Sequence, residues 1–238
     1  IPRAALFRPA TTRISAFQVA VAGDPRVAYV MGSGDAGPEA IRQMGVPVDL
    51  LGPEDVTAGA FQAYDVVVLG IRAYETRPDL VAANDQLLDW ARGGGTLIVQ
   101  YNKYEFSGAG YAPFSVEMNR PHDRVTDETA PVELLAPDHP ALTTPNRIGR
   151  EDFQGWVQER GLYFLGDWDS RYRPLLSMAD PGEEARRGGL VVASLGEGTY
   201  VYTGLAFFRQ FPAGVPGAFR LFANLLSLGA QGAEADRP

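Results

Sequence analysis

Three observations in the sequence predict a doubly wound α/β fold, with a mostly parallel sheet and an extra antiparallel β part in its second half. Short, almost wholly apolar runs recur at Val27–Met31, Asp65–Gly70 and Leu97–Gln100, the signature of strands covered on both faces. Helical periodicity fills the intervals between them, as right-handed crossovers between parallel strands require. Beyond about residue 150, strands follow one another without helices.

Residues 1–24 carry Pro2, Pro9 and Gly23 around one apolar run, Ile14–Ala22, and read as a linker or an edge strand from a preceding domain. The domain proper is expected over 25–229. Val27–Met31 is its first strand, Gly32–Gly37 a turn, and Pro38–Met44 a helix whose first turn tolerates proline. Val46–Leu51 repeats the strand signal, Pro53–Phe61 gives a short helix, and Asp65–Gly70 is the next buried strand. Across Arg77–Arg92, Leu80, Val81, Leu87, Leu88 and Trp90 recur at helical spacing, and Gly93 supplies the stop. Gly93–Asn102 then reads as helix stop, buried strand and polar strand end. Residues 105–150 dissolve into Pro, Asp, Asn and Thr, an excursion with short strands at Arg124–Thr126 and Val132–Leu135. Strands return at Gly161–Leu165, Leu175–Met178, Gly189–Leu195 and Thr199–Thr203, the last two joined as a hairpin through Gly196-Glu197-Gly198. A helix over Pro216–Leu228 presents Phe219, Phe222, Leu225 and Leu226 on one face, and 230–238 read as a flexible tail.

Composition removes several function classes. The formal charge is −8, and the 21 basic residues, of which only Lys103 is lysine, are scattered, which argues against nucleic acid as a partner. No apolar run approaches the ~20 residues that span a bilayer. The absence of cysteine excludes disulfides, thiolate catalysis and zinc-thiolate sites, and it suits either side of a bacterial membrane, a periplasmic or secreted setting included. The preference for Arg over Lys, with abundant Gly, Ala and Asp, points to GC-rich bacterial coding. The chain opens Ile1-Pro2-Arg3 without an initiator Met or a signal peptide, as a mature product or a piece of a longer protein would.

In open α/β sheets ligands gather beyond the carboxyl ends of the strands, so Gln100, Tyr101 and Asn102 stand where a nucleophile or ligand contact projects. Arg72 and Tyr74, in Gly70-Ile71-Arg72-Ala73-Tyr74, and Arg209 and Gln210, in the turn from Gly204, are expected at the same edge. The segment Asp152–Tyr163 mixes Trp156 and other aromatics with Glu159 and Arg160, a composition that stacks on sugar rings and bonds their hydroxyls, or else builds an aromatic subcore. Gly32-Ser33-Gly34-Asp35-Ala36-Gly37 matches the glycine spacing of a dinucleotide loop. However, Asp49 lies within a strand and Pro38 removes an amide, so a tight glycine-rich turn is the reading and no cofactor is expected. His122 and His139 lie on loops without a second histidine at ligand spacing, so no metal is expected, although His139 with Asp138 could form an acid/base pair. Gly-x-Ser-x-Gly does not occur, which disfavours a serine hydrolase. Glu159 with Asp167 or Asp169 is a conceivable glycosidase pair whose separation sequence does not give.

The order of these motifs resembles the C-terminal region of long bacterial PIG-L (LmbE-like) deacetylases, a class I glutamine amidotransferase-like domain. The strand Asp65–Gly70, Gly70–Tyr74, Gly93–Asn102, Phe153–Tyr163 and Tyr202–Gln210 carry the resemblance, which covers roughly 26–228. It implies a flavodoxin-like fold related to amidotransferase and ThuA-like domains. Catalytic amidotransferases bear cysteine at the elbow after the strand equivalent to Leu97–Gln100, then histidine and glutamate; here Gln100, Tyr101 and Asn102 stand there, and Phe207–Gln210 lacks histidine. Glutamine hydrolysis by that triad is excluded. The zinc motif of the deacetylase belongs to a separate N-terminal domain, the partner this resemblance implies, and Pro137-Asp138-His139-Pro140 is a different order. Two readings follow. One is a non-catalytic binding module in which Arg72, Tyr74, Gln100, Tyr101, Asn102, Trp156, Glu159, Arg160, Arg209 and Gln210 hold a ligand such as a carbohydrate. The other is a hydrolase using Glu159 as general acid/base, with Arg209 and Asn102 stabilising negative charge.

Overall fold

The structure, a computed structural model, describes residues 14–229. Its first half contains β1 (Val27–Val30), α1 (Gly37–Gln43), β2 (Val48–Leu50), α2 (Pro53–Thr57), β3 (Val66–Leu69), α3 (Ala73–Thr76), α4 (Pro78–Ala82), α5 (Asn84–Arg92), β4 (Thr96–Gln100) and α6 (Tyr104–Ala109). The second half adds β5 (Val116–Glu117), β6 (Asp123–Val125), β7 (Val132–Leu134), α7 (Pro140–Thr143), β8 (Gly161–Phe164), β9 (Asp167–Trp168), β10 (Arg173–Pro174) and β11 (Leu176–Met178). It closes with β12 (Leu190–Leu195), β13 (Gly198–Thr203), α8 (Phe207–Ala213) and α9 (Pro216–Leu226).

Seven strands form one sheet in the order β10-β12-β13-β4-β3-β1-β2. From β2 to β13 the pairs are parallel, and β12 joins both β13 and β10 antiparallel. The expected doubly wound sheet is therefore present. Its antiparallel part is larger than the hairpin alone, because each short excursion strand finds a later partner, in the ladders β6-β8, β7-β11 and β5-β9.

Burial explains why the central strands read as unbroken apolar runs. Side chains alternate across a strand. Tyr29, Val66, Val68 and Ile98 pack on one face with Ile41 of α1 and Phe219, Phe222 and Leu225 of α9. Val30, Val67, Leu69 and Val99 pack on the other with Val56 of α2, Leu80 of α4 and Leu87 and Leu88 of α5. At ~1.5–3 kcal/mol for each large apolar side chain withdrawn from water, this two-sided core dominates the stability.

Several expected elements differ in extent. The Arg77–Arg92 helix is two helices meeting at Ala83 (φ −93°, ψ 3°), where buried Asn84 accepts a 2.6 Å hydrogen bond from the Tyr74 hydroxyl. The Pro53–Phe61 helix stops at Thr57, since Gly59 turns left-handed (φ 73°) and a 3₁₀ turn, Ala60–Ala63, follows. β2 is a three-residue edge with only Val48 buried. The helices α6 and α8 occupy stretches expected to be turns. Within Ile14–Ala22 there is no strand: the Ala20 amide and carbonyl bond the Asn146 side chain and the Ala22 amide bonds Ser227, which ties this segment to α9 rather than to a sheet edge. The 230–238 tail and residues 1–13 lie outside the described residues.

Candidate functional site

In this strand order the switch point, where connections leave in opposite directions, lies between β1 and β3. Asp35 fills it. One carboxylate oxygen accepts from the Tyr29 hydroxyl (2.6 Å) and the Gly37 amide (2.8 Å), the other from the Ile71 amide (3.2 Å). Gln100 Nε2 donates to the same tyrosine oxygen at 2.7 Å, so a buried relay runs from β4 through Tyr29 to the glycine-rich loop. Burial and the Asp35 charge push the Tyr29 hydroxyl well above its ordinary pKa. Gly32 lies so close to the Ile71 carbonyl that a Cβ would overlap it. The glycine spacing serves close packing of two loops around Asp35. Asp49 accepts from the Tyr64 hydroxyl at 2.9 Å.

The residues expected at the sheet edge divide into an inner and an outer set. Inner are the amides. Asn102 Oδ1 accepts from the Tyr74 amide (3.0 Å) and its Nδ2 donates to the Gln100 carbonyl (3.0 Å), fixing the turn after β4 against α3. Gln210 Oε1 accepts from the Val157 amide (2.8 Å) and its Nε2 donates to the Val157 carbonyl (3.1 Å), clamping the 157–159 stretch to α8. Gln100, Asn102, Gln210 and Tyr74 are buried. A buried amide left unpaired costs about 1–3 kcal/mol, which accounts for polar side chains at positions closed to solvent.

The outer set forms a crest beyond the end of β4. Tyr101 stacks on Tyr163 (centroids 5.8 Å apart, planes 5° apart) and meets Phe208 at 5.6 Å. Tyr163 in turn stacks on His122 at 4.0 Å. Tyr104 meets Tyr163 edge-on, and the Arg120 guanidinium lies 3.8 Å above the Tyr104 ring. The Arg209 guanidinium sits 4.8 Å over Phe208 and bonds Glu159 at 2.5 Å. On the other flank Arg72 grips Glu75 through two bonds of 2.6 and 2.7 Å, and Lys103 reaches the same carboxylate at 2.8 Å. The Arg72 guanidinium, with help from Lys103, holds the Glu75 carboxyl down at about 2. Burial, then the Arg124 charge, lowers the His122 pKa, and burial raises those of Tyr101 and Tyr163.

Backbone geometry aims these groups. Four non-glycine residues among those described have positive φ, and three of them, Arg72 (57°), Gln158 (67°) and Tyr163 (52°), serve this region. Tyr163 is the extra residue of a bulge in the β6-β8 ladder, its carbonyl held by the Tyr202 hydroxyl at 2.7 Å. Sequence reasoning included Tyr163 in an aromatic segment suited to sugar rings but named neither it nor His122 among the site residues. Past Gln158, Glu159 goes to the crest while Arg160 does not.

Arg160 and Trp156 belong to a separate place. Arg160 is 4% exposed; its Nε and Nη2 donate to the Ala130 carbonyl (3.1 and 2.8 Å) and its Nη1 to that of Phe153. Buried Trp156 donates its indole N–H to the Asp152 carbonyl at 3.0 Å. Both line a cavity of about 840 Å³ between the excursion and β11. The ten residues expected in one pocket therefore resolve into a crest, an inner amide frame and this cavity wall. Of the remaining acids, Asp169 pairs with Arg171 and Asp167 bonds the Trp168 amide, so each is engaged away from Glu159. His139 caps α7 by accepting from the Ala141 amide at 3.1 Å. Among the described residues no cluster of three or more His, Cys, Asp or Glu is arranged to hold a metal ion.

The molecule is thus a flavodoxin-like α/β domain with an antiparallel extension, and its structural relatives agree. A cytoplasmic protein from Salmonella typhimurium superposes with a TM-score of 0.55 at 17% identity, over 84% of this chain and 97% of its own. A second, from Salmonella typhimurium LT2, gives 0.54 at 13% identity, over 84% and 98%. The beta-galactosidase from Rahnella sp. R3 gives 0.52 at 17% identity, over 89% of this chain but 32% of the longer enzyme. These likenesses establish the fold. A scan against protein-family models and a search of curated proteins find no match.

Proposed function

We propose that this chain is a non-catalytic, amidotransferase-like accessory domain that binds a saccharide at the crest, beside the deacetylase domain of a PIG-L-type N-acetyl-sugar deacetylase. The observation that carries the reading is the Tyr101–Tyr163–His122 stack beyond the central strand, in which buried Tyr101 backs a Tyr163 held in a left-handed conformation, with left-handed Arg72 on its flank. Such conformations cost of order 1–3 kcal/mol each and are retained where the surrounding structure enforces them, commonly at ligand sites. Partly exposed Phe208, Arg209, Arg72 and Lys103 surround the stack, pairing aromatic surface with the donors that sugar hydroxyls require. Catalysis is disfavoured because the Gln100 and Asn102 amides bond within the fold and the Glu159 carboxylate is engaged by Arg209. The deacetylase partner rests on the motif resemblance, above all Trp156–Arg160 and Phe207–Gln210. The Rahnella beta-galactosidase is an instance of this fold within a longer sugar-processing chain.

The test is a calorimetric screen of N-acetylated and free amino sugars and their oligomers, with turnover assayed in parallel on wild type and Glu159→Gln. Binding without turnover, weakened about tenfold or more by Tyr163→Ala or Phe208→Ala, is the expected result. Turnover abolished by Glu159→Gln would replace the reading with the hydrolase, and no binding by any sugar would remove it.

A further inference from the structure

The 840 Å³ cavity falls within the ~300–1,000 Å³ range of small-molecule sites and shares no lining residue with the crest. Its inner wall is apolar, formed by Val132, Phe153, Trp156 and Met178. Set into that wall is the Arg160 guanidinium, 5.7 Å from the Trp156 ring and 5.9 Å from that of Phe153. No carboxylate of the described residues forms an ion pair with it, and burial lowers its pKa to about 10, which leaves it a cation at neutral pH. A guanidinium has five N–H groups; two are directed at the Ala130 carbonyl and one at that of Phe153, which leaves two on the terminal nitrogens. Only neutral carbonyls bond this buried cation, and the Asp127 and Glu128 carboxylates act on it through space without offsetting its burial, so a directly bonded anion would recover desolvation cost.

We propose that this cavity is a binding site for an organic monocarboxylate, whose carboxylate meets Arg160 and whose ring or short chain lies against Phe153, Trp156 and Met178. The planar fork of arginine matches a carboxylate, and one buried arginine matches one negative charge. Glu128 and Glu133 at the exposed mouth offset Arg150 there and disfavour a dianion such as phosphate. The site is independent of the crest, so either can fail alone.

Protein labelled with 5-fluorotryptophan gives a fluorine NMR signal for each of the three tryptophans, and Trp90→Phe and Trp168→Phe leave that of Trp156 assigned. Glucuronate and benzoate are titrated as sugar-acid and aromatic-acid probes, against glucose, benzyl alcohol and inorganic phosphate. We expect at least one carboxylate to move the Trp156 signal saturably while its neutral counterpart and phosphate do not. Ala185→Phe at the exposed mouth should raise that Kd at least about tenfold, with the melting temperature of the variant checked, while Tyr163→Ala at the crest leaves it unchanged. Arg160→Gln should also abolish the response, but it removes buried hydrogen bonds, so Ala185→Phe is the deciding variant. No saturable shift, equal shifts from neutral probes or phosphate, or a response indifferent to Ala185→Phe would overturn the proposal.

Discussion

Glu75 carries the electrostatics of one flank of the crest, gripped by Arg72 and Lys103 at 2.6–2.8 Å. Its folded pKa, about 2, lies below the unfolded carboxylate value of roughly 4.3. Between those values the unfolded chain binds more protons, so stability rises with pH there. The contribution is complete above about pH 4.3 and is lost as pH falls toward 2. Glu75→Gln should therefore flatten the acid limb of the stability curve across that window, read as urea midpoints from pH 5 down to about 2, with little change in slope above it. The crest was legible where it hangs on strand ends: Arg72, Tyr101 and Arg209 lie where the carboxyl edge of a parallel sheet puts them. Tyr163 was not, because Gly161–Phe164 reads as ordinary alternation and the bulge that redirects it depends on pairing with residues some forty positions earlier. The amides misled for another reason. Polarity suggests exposure, yet Asn102 and Gln210 answer backbone groups, and Gln100 the Tyr29 hydroxyl, that the fold itself buries.

At the scale of elements, α9 depends on how closely its first turn can approach the chain at Asp152. A Cβ on Gly217 would overlap the Asp152 carbonyl. In a solvated helix Gly→Ala would stabilise by up to ~1 kcal/mol, whereas overpacking costs ~1–3 kcal/mol, so the sign of the change reports the packing. Gly217→Ala should lower the urea midpoint, and a rise would show that the two segments can part without cost. The α8 helix explains a miss in the sequence reading. Phe207, Phe208 and Phe211 have the β-preferring chemistry of a strand or turn, and Pro212 follows them. They are helical because Phe207 and Phe211, one turn apart, stack at 5.6 Å and both pack on Phe222 of α9. Tertiary packing overrides the local preference.

For the whole molecule, stability should be graded outward from the centre of the sheet. The strands β1, β3, β4 and β13 are covered on both sides, whereas β5 and β9 form a two-residue ladder at the periphery. Native-state hydrogen exchange should be slowest in those four strands, with β5 and β9 opening at roughly a tenth to a half of the global free energy. Uniform protection would contradict this layering. Sequence revealed the succession β1 to β4 because each crossover is local, and it placed the end of β13 at the same edge as β4, but not the register that pairs the two strands directly. That pairing depends on contacts a hundred residues apart, which leave no periodic trace. The Asp35 carboxylate has a final consequence. In sheets of this topology a bound molecule commonly bridges the loops after the first and third strands. Here one side chain joins them, the Asp35 carboxylate accepting from Gly37 in its own loop and from Ile71 in the other, so the chain itself cross-links that corner of the sheet.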